Sequence, residues 1–480
     1  MATSLPATAT ALECDIGVVG LGVMGAALAR NFHSRGLRVA GYNLEEAGAA
    51  QFRQKWGDAR FAITSDYADF VARLQAPRRI VVMVTAGRAV DAVLEALAPH
   101  LAATDIVVDG GNSLYSDTER RDGWCRAKGF RFVGMGISGG EEGALVGPAM
   151  MPGGDREAWL RLQPVLEPAA AVSDSGPCVG WCGKGGAGHF VKTVHNGIEY
   201  GDMQLISEAW LLLRDGLGQT PSQQAAVFQA WNRGPLASYL LELTGQIVDA
   251  ADPQGEGPLL DQILDVAGSK GTGKWTVEAA LNLGVPIPTI TAAVEARALS
   301  GQRAVRQAVH AAYAGPGPGL GDVTVDDIAK ALFASRLMGW TQGFALLRAA
   351  SEAHGFESDL AAIARIWKAG CIIRAAWLDR VYQALRDQPG LPILLLDPGF
   401  RRELEAALPA WKKVVARAVD AGIALPCMAA SLGYFQGLAS VRGPAALIQA
   451  QRDAFGAHTY RRRDQPELAV HTVWANLRKV

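Results

Sequence analysis

Lys192, His195, Asn196, Glu199 and Met203 recur at intervals of three and four residues, so a helix over 188–204 places them on one face. Val191, Val194, Ile198 and Leu205 fall on another face, which offers the helix a way to dock on a core. An amine, an imidazole, an amide and a carboxylate then point the same way, with Tyr200 alongside. Lys192 and Glu199 are seven residues apart, hence about 10 Å along a helix axis, comparable to a short extended sugar acid. Gly197 and Gly201 lie one turn apart, and each costs a helix roughly 1 kcal/mol relative to Ala, so something is expected to approach the backbone closely there. The competing reading is a solvated polar face with ordinary surface charges. The mixture of residue types and the paired glycines favour a ligand-facing helix.

The elements that must position this stripe begin near the amino terminus. Asp15-Ile16-Gly17-Val18-Val19 has the length and branching of a buried parallel strand. It runs into Gly20-Leu21-Gly22-Val23-Met24-Gly25, then a helical pattern from Ala26 to Ser34 ended by Gly36, then a second strand over 37–42. Strand, glycines, helix and strand in that order form the dinucleotide fingerprint. The glycines permit a tight turn and close approach of a pyrophosphate, and the helix start offers it free amides and a positive dipole. A bare glycine triplet would say little in a chain with 55 glycines; the context carries the reading.

Further strands are expected over 80–84, 106–108 and 132–135. Each ends in small or polar residues: Thr85-Ala86-Gly87, Asp109-Gly110-Gly111-Asn112-Ser113 and Gly136-Ile137-Ser138-Gly139-Gly140. Ligands of open parallel sheets collect at the carboxyl ends of strands, and turn chemistry explains the glycines but not Asn112 and Ser138. Those two are assigned to the substrate side of the cofactor. Beyond Gly188 helical periodicity dominates to about Ala446. The expected organisation is therefore an α/β Rossmann-type domain over 1–187, a large all-α domain over 188–446 and a short carboxyl-terminal tail over 447–480.

Within the helical part, Gly268-Ser269-Lys270-Gly271-Thr272-Gly273-Lys274-Trp275 nearly matches a P-loop. Trp275 stands where Ser or Thr would hold magnesium, and the preceding 259–267 reads as helix rather than strand, which excludes a nucleoside triphosphate site. Such a loop with two lysines still suits a phosphate, with Arg297 as a second cation.

Composition narrows the classes. The 480 residues are 49% hydrophobic and 19% charged, with net charge −1, which gives no electrostatic case for nucleic acid or an anionic membrane. No apolar run reaches a membrane span, and residues 1–11 lack the parts of a secretory signal and are expected to form a disordered extension. Six sparse cysteines, with only Cys178 and Cys182 closely spaced, argue against a zinc site or disulfide framework and for reduced thiols in a cytoplasm.

Together the runs 20–25, Asp109 to Ser113, Ser138 to Ala144, His189 to Leu205, Lys270 to Thr276, Cys371-Ile372-Ile373-Arg374 and Gln449 to Tyr460 resemble the 6-phosphogluconate dehydrogenase family over nearly the full length. The resemblance implies oxidative decarboxylation of 6-phosphogluconate to ribulose 5-phosphate and carbon dioxide in the pentose phosphate pathway, with NAD or NADP and no metal. It implies that Lys192 is the base for the hydroxyl proton at carbon three and that Glu199 protonates the enediol carbon. Substrate contacts are implied for Asn112, Ser138, Gly139, Gly140, His195 and Asn196. Tyr200, Lys270, Thr272 and Arg297 correspond to the phosphate end, joined by Arg452 and His458 from a neighbouring subunit, hence a homodimer with shared sites. Cofactor contacts are implied for Gly20, Leu21, Gly22, Val23, Met24, Gly25, Asn43, Leu44, Glu45, Val84, Thr85, Ala86 and Asn112.

Departures bear on the cofactor. NADP-using members carry Asn-Arg-Ser or Asn-Arg-Thr where this chain has Asn43-Leu44-Glu45, and a lysine where it has Thr85. NAD is therefore favoured, with Arg53, Lys55 and Arg88 as cations that could still reach a phosphate. Lys368 replaces an expected arginine, and the tail after Arg463 is short. Rival readings are another β-hydroxyacid dehydrogenase, of the 3-hydroxyisobutyrate type, whose chains are much shorter, and a non-catalytic sensor, which should have lost Lys192 or Glu199.

Overall fold

The computed structural model describes residues 13–476 apart from 314, 316 and 318. The expected extension over 1–11 and the last four residues of the tail lie outside the described residues. The chain divides into one compact unit through Ser431 and a second from Leu432.

The first unit opens with a seven-stranded sheet in the order β3-β2-β1-β4-β5-β6-β7. Its strands are β1 (Ile16–Val19), β2 (Val39–Tyr42), β3 (Phe61–Thr64), β4 (Arg79–Val82), β5 (Ile106–Asp109), β6 (Arg131–Ser138) and β7 (Ala149–Gly154). The first six run parallel and β7 is antiparallel to β6. The crossover helices are α1 (Val23–Ser34), α2 (Glu46–Trp56), α3 (Tyr67–Ala72), α4 (Arg88–Leu97) and α5 (Tyr115–Lys128), followed by α6 (Gly140–Val146) and α7 (Arg156–Leu166).

Alternate strand residues serve opposite faces, so both layers are apolar and the strands read as continuous hydrophobic runs. Ile16, Val18, Val81, Val108 and Met135 pack with Leu28 and Phe32 of α1 and Leu162 of α7. Val19, Ile80, Val82 and Val107 pack on the other side with Phe70 of α3 and Val90 and Leu94 of α4. The strand order reverses between β1 and β4, which opens a crevice at their carboxyl ends.

Two strands of this sheet were not anticipated. β3 is a four-residue edge strand with a single buried side chain, and β7 carries Pro152, Gly153 and Gly154. Proline is tolerated there because β7 is an edge. Residues 259–267 also differ from expectation: only Leu259–Gln262 form a 3₁₀ turn, and 261–270 are exposed. An apolar spacing with no core to dock on does not make a helix.

The remainder of the first unit is helical. α8 (Ala187–Leu211) is followed by α9 (Pro221–Trp231), α10 (Tyr239–Ile247), α11 (Thr272–Leu283), α12 (Pro288–Ser300), α13 (Arg303–Tyr313), α14 (Val325–His354), α15 (Leu360–Ile366), α16 (Leu378–Asp387), α17 (Pro398–Asp420) and α18 (Pro426–Leu438). The long α14 starts on a reciprocal cap between Thr324 and Asp327 and packs along α8. A buried fork joins the two: Arg336 donates to Asp202 through Nε at 3.1 Å and Nη2 at 2.8 Å. Such geometry compensates part of the cost of burying both charges. Among the described residues no helix is long and apolar enough to cross a membrane.

The second unit begins within α18 and contains α19 (Ala445–Gly456) and the hairpin of β8 (Tyr460–Arg462) and β9 (Gln465–Val470). Asp453 organises it. Its carboxylate accepts from Thr459 N (2.9 Å), Thr472 N (3.0 Å) and Trp474 Nε1 (2.8 Å) and lies 3.0 Å from His471 Nδ1. These partners hold its pKa down to about 2 despite the opposing effect of burial.

Candidate active site

α8 lies on the sheet with almost no intervening side chain. A Cβ built on Gly188 would come within 2.2 Å of Gly134 O on β6, and one on Gly153 of β7 within 2.2 Å of Gly188 N. One on Gly136 would lie 2.2 Å from Lys192 Cβ. Gly136, read from sequence as a turn residue, and Gly134 and Gly153 are there so that backbone can come close to the neighbouring element. This contact carries the polar stripe to the carboxyl end of β6, where Ser138 sits.

The stripe is enclosed rather than solvated. Val191, Val194, Ile198 and Leu205 are buried as expected, and so are Lys192, His195, Asn196 and Tyr200. Glu199 keeps 22% of its side chain exposed, and Met203 is exposed. Of the two helix glycines, Gly197 meets the anticipated close approach, since a Cβ there would be 2.5 Å from Thr276 Cγ2 of α11. Gly201 does not, its nearest neighbour being Ile290 Cγ1 at 3.9 Å.

Hydrogen bonds orient the imidazole. His195 Nδ1 is 3.2 Å from Asn196 Oδ1, an acceptor, so Nδ1 carries the hydrogen. Nε2 then accepts from the Ser138 hydroxyl at 3.0 Å, and Ser138 Oγ accepts from Ile372 N at 3.3 Å. The Trp367 ring meets the imidazole edge-on at 5.7 Å. Burial, reinforced by the Lys192 charge, holds His195 well below its usual pKa, hence neutral.

Lys192 and Glu199 are pushed toward each other. Burial lowers the lysine from the ordinary amine range against the opposing pull of Glu199. Burial raises the glutamic acid against the pull of Lys192 and Arg297. A pair of titratable groups displaced in opposite directions suits proton transfer in both senses.

A cationic patch lies at the far end of the stripe. Arg297 stacks 3.7 Å from the centroid of the Tyr200 ring and donates to Gly268 O at 3.4 Å. Gly273 packs on the same ring, a Cβ there coming within 2.6 Å of Tyr200 Cε2. Thr272 opens α11 behind Gly271, whose φ of 91° supplies the turn, and no side chain caps the free amides. Lys270 is exposed just before it. Thr276 Oγ1 donates to Thr193 O at 2.8 Å and fixes α11 to α8.

The residues of the crevice fit a dinucleotide. Gly20 has φ 92°, and a Cβ on Gly25 would stand 1.8 Å from Gly20 O. Gly22 faces open space and no side chain caps α1, so its first amides are available to a pyrophosphate. Leu21 N donates to Asn43 Oδ1 at 3.3 Å. Leu44 is 79% exposed and Glu45 is also exposed, with no cation beside them in sequence. On the other side of the crevice Val84 is half-buried, and Thr85 and Asn112 are exposed.

A clamp missed by sequence reasoning joins the loops after β4 and β5. Arg121 of α5 is buried and pairs with Asp91 (Nε to Oδ1 2.8 Å) and Asp109 (Nη1 to Oδ2 3.4 Å). It also donates to Gly87 O at 2.9 Å. Asp109 accepts from Ser113 Oγ at 2.6 Å and Gly111 N at 3.0 Å, which shapes the loop bearing Asn112. Lys368 is likewise structural, bridging Asp174 and Asp379. Arg452 on α19 and His458 in the following turn are exposed members of the second unit; Ala457 and Thr459, flanking His458, have φ of 49° and 58°.

The comparisons with known proteins agree along the whole chain. Residues 15–183 match the NAD binding domain of 6-phosphogluconate dehydrogenase, and residues 188–474 match the 6-phosphogluconate dehydrogenase C-terminal domain. A decarboxylating 6-phosphogluconate dehydrogenase of Haemophilus ducreyi is 46% identical over 96% of this chain and 97% of its own. The NADP(+)-dependent decarboxylating enzyme of Bacillus subtilis is 45% identical over 96% and 99%. A Plasmodium falciparum 6-phosphogluconate dehydrogenase, solved alone, with its cofactor NADP+ and with its substrate, superposes with a TM-score of 0.91 at 39% identity, covering 96% of this chain and all of that one. An N-terminal NAD(P)-binding α/β domain, a helical domain built on α8 and these matches make the chain a member of the 6-phosphogluconate dehydrogenase family.

Proposed function

We propose that this chain oxidatively decarboxylates 6-phospho-D-gluconate to D-ribulose 5-phosphate and carbon dioxide, as a homodimer with shared sites in the cytoplasm. The observation that carries the reading is the buried Lys192–Glu199 stripe, held against β6 beside a crevice fitted for a dinucleotide. Gly20 to Gly25, Asn43 to Glu45, Val84 to Ala86 and Asn112 hold the cofactor. When bound, it accepts the hydride from carbon three. Neutral Lys192 takes the proton of the carbon-three hydroxyl as that hydride leaves, which makes the ketone, and returns it to the ketone oxygen as the carbon one–carbon two bond breaks. Carbon dioxide departs and its bonding pair becomes the enediol. Glu199, whose pKa burial raises, delivers a proton to the carbon that bore the carboxylate, while Lys192 takes back the proton of the enediol hydroxyl at the former carbon three, which restores the ketone there.

Ser138, Gly139, Gly140, His195, Asn196 and Asn112 orient the sugar acid. Tyr200, Lys270, Thr272 and Arg297 receive the phosphate, with Arg452 and His458 of a second copy. The seam over 183–188 separates the cofactor domain from the helical one.

The cofactor preference is for NAD over NADP. A charge-assisted hydrogen bond to a phosphate contributes roughly 1.5–3 kcal/mol, so Leu44 in place of a cation costs NADP about 10- to 100-fold in affinity. The test measures carbon dioxide and reduced cofactor formed from 6-phosphogluconate with each cofactor, in wild type and in Leu44→Arg/Glu45→Thr. Equimolar carbon dioxide and NADH are expected. Absence of both with either cofactor overturns the reaction, and a strong NADP preference that the double change does not raise overturns the preference.

A further inference from the structure

We infer that His189 is a positioning residue: its ring ties the loop bearing Asn112 to the first turn of α8, so that one side chain sets that loop and Lys192 against each other. The inference rests on the reaction proposed above. His189 lies three residues before Lys192 and is buried. An edge of its ring covers β6, since a Cβ on Gly134 would stand 2.7 Å from Nδ1 and 3.1 Å from Cε1. Gly134 pairs with Asp109, the last residue of β5, so the ring lies one strand away from where the Asn112 loop leaves the sheet. The Thr118 hydroxyl of α5 is 2.6 Å from Nδ1. Nε2 is buried and has no hydrogen-bond partner among the described residues. A buried polar atom left unpaired is uncommon in native proteins and often marks a functional contact.

Burial lowers the pKa of His189 and keeps the ring neutral, against the pull of the Asp109 charge and of the backbone carbonyls of Gly111 and Asp109 beside it. With Nδ1 engaged by Thr118, it is Nε2 that meets these carbonyls. The single ring hydrogen has two possible places. On Nδ1 it would go to Thr118, whose own hydrogen would turn to Leu114 O at 3.3 Å, but the Nε2 lone pair would then face carbonyl oxygens. On Nε2 the hydrogen meets those oxygens, and Thr118 Oγ1 donates to Nδ1, which suits both nitrogens. Nε2–H is thus a donor beside the carbonyl of Gly111, the residue before Asn112. Hydrogen bonds that serve a reaction are commonly long in the free protein and tighten in the ligand complex. This one closes as cofactor and substrate engage Asn112, and it fixes their loop to the helix that carries Lys192.

The experiment separates the two ends of the ring. In His189→Asn the amide reaches Thr118 as Nδ1 does but falls short of Gly111, whereas in His189→Gln it extends to the place of Nε2. Full-length wild type and both variants are assayed for reduced cofactor formed in the first turnover of 6-phosphogluconate, with NAD+ and with NADP+, and calorimetrically for cofactor affinity. Hydride transfer should slow about 10- to 100-fold in His189→Asn, the loss expected for a shift near 1 Å between reacting groups. Cofactor affinity should stay nearly unchanged, because Gly20 to Gly25 still hold the pyrophosphate, and His189→Gln should recover most of the rate. A His189→Asn protein as fast as His189→Gln, or a loss of cofactor affinity that accounts for the whole effect, overturns the inference. The tautomer is read in the wild type itself, from the nitrogen NMR shifts of the His189 ring. A hydrogen on Nε2 is expected, and one on Nδ1 overturns the inference even where a variant fails to fold. Wild-type protein that forms no reduced cofactor from 6-phosphogluconate overturns instead the reaction on which the inference rests.

Discussion

Gly136 on β6 lies so close to Lys192 on α8 that a Cβ at position 136 would be 2.2 Å from Lys192 Cβ. The backbone of a strand is thus the surface against which the proposed base is set. Gly136→Ala must push α8 outward, since the opposing atom is the root of a side chain rather than its flexible end. Overpacking of this kind costs about 1–3 kcal/mol in stability. A displacement near 1 Å of a reacting group costs about 10²-fold in rate. The expected outcome is a kcat lowered by one to two orders of magnitude, with NAD+ affinity in the binary complex nearly intact. A fully active Gly136→Ala enzyme would show that Lys192 needs no such placement.

The opposed pKa displacements of Lys192 and Glu199 predict a bell-shaped dependence of kcat on pH. Activity rises as Lys192 loses its proton, below the ordinary amine range because burial disfavours the ammonium. It falls as Glu199 loses its own, above the ordinary carboxylate range because burial disfavours the anion. The active form carries a neutral amine and a protonated acid, so whichever group titrates first, removing the acid's proton from the scheme removes the descending limb. Glu199→Gln should therefore retain hydride transfer, slow product formation and level off at alkaline pH. Lys192→Ala should lose about 10²–10⁴-fold in kcat. A descending limb that persists in Glu199→Gln assigns it to another group.

The Arg121 clamp predicts a stability effect remote from the substrate. Removing one partner of a buried ion pair leaves the other uncompensated, at a cost of about 3–5 kcal/mol. Arg121→Met should lower the melting temperature and weaken NAD+ binding together, because the loops through Gly87 and Asp109 to Ser113 lose their common anchor. Arg121→Lys should recover little, since one ammonium cannot span Asp91, Asp109 and the Gly87 carbonyl as the fork does. Unchanged melting in both variants would mean that Asp109 is satisfied by Ser113 and Gly111 without it.

Arg121 also illustrates where sequence reasoning stops. It sits among Glu119, Arg120 and Asp122, the letters of a solvated helix face, and its partners Asp91, Asp109 and the Gly87 carbonyl, remote in sequence, make it a core residue. β7 was hidden by Pro152, Gly153 and Gly154, of which Gly153 answers the approach of Gly188 from another element. β3 was hidden by its edge position, which leaves too little burial to impose an alternating pattern. By contrast, the fingerprint and the α8 stripe were legible because their signals are local: glycines at a strand-to-helix turn, and polar residues at helical period. What local signals could not reveal was that the stripe is enclosed, which is the condition for its pKa shifts.

Sharing of sites between two copies of the chain makes the last prediction. Arg452 and His458 belong to the second unit, where Asp453 between them is anchored by four partners and constrains the turn that carries His458. Arg452 is exposed and, among the described residues, donates only Nη1, to Gln449 Oε1 at 3.1 Å, which leaves most of its donors for a ligand. If each site takes Lys192 from one chain and Arg452 from the other, Lys192→Ala and Arg452→Ala proteins are each inactive as homodimers. In a mixed dimer one site collects both lesions and the other collects neither. Co-refolding the two in equal amounts gives half mixed dimers, each with one intact site of two, so about a quarter of wild-type activity should return, a statistical limit that assumes independent sites. Heterodimers verified by differential tags that recover no activity would show that Arg452 serves its own chain or none.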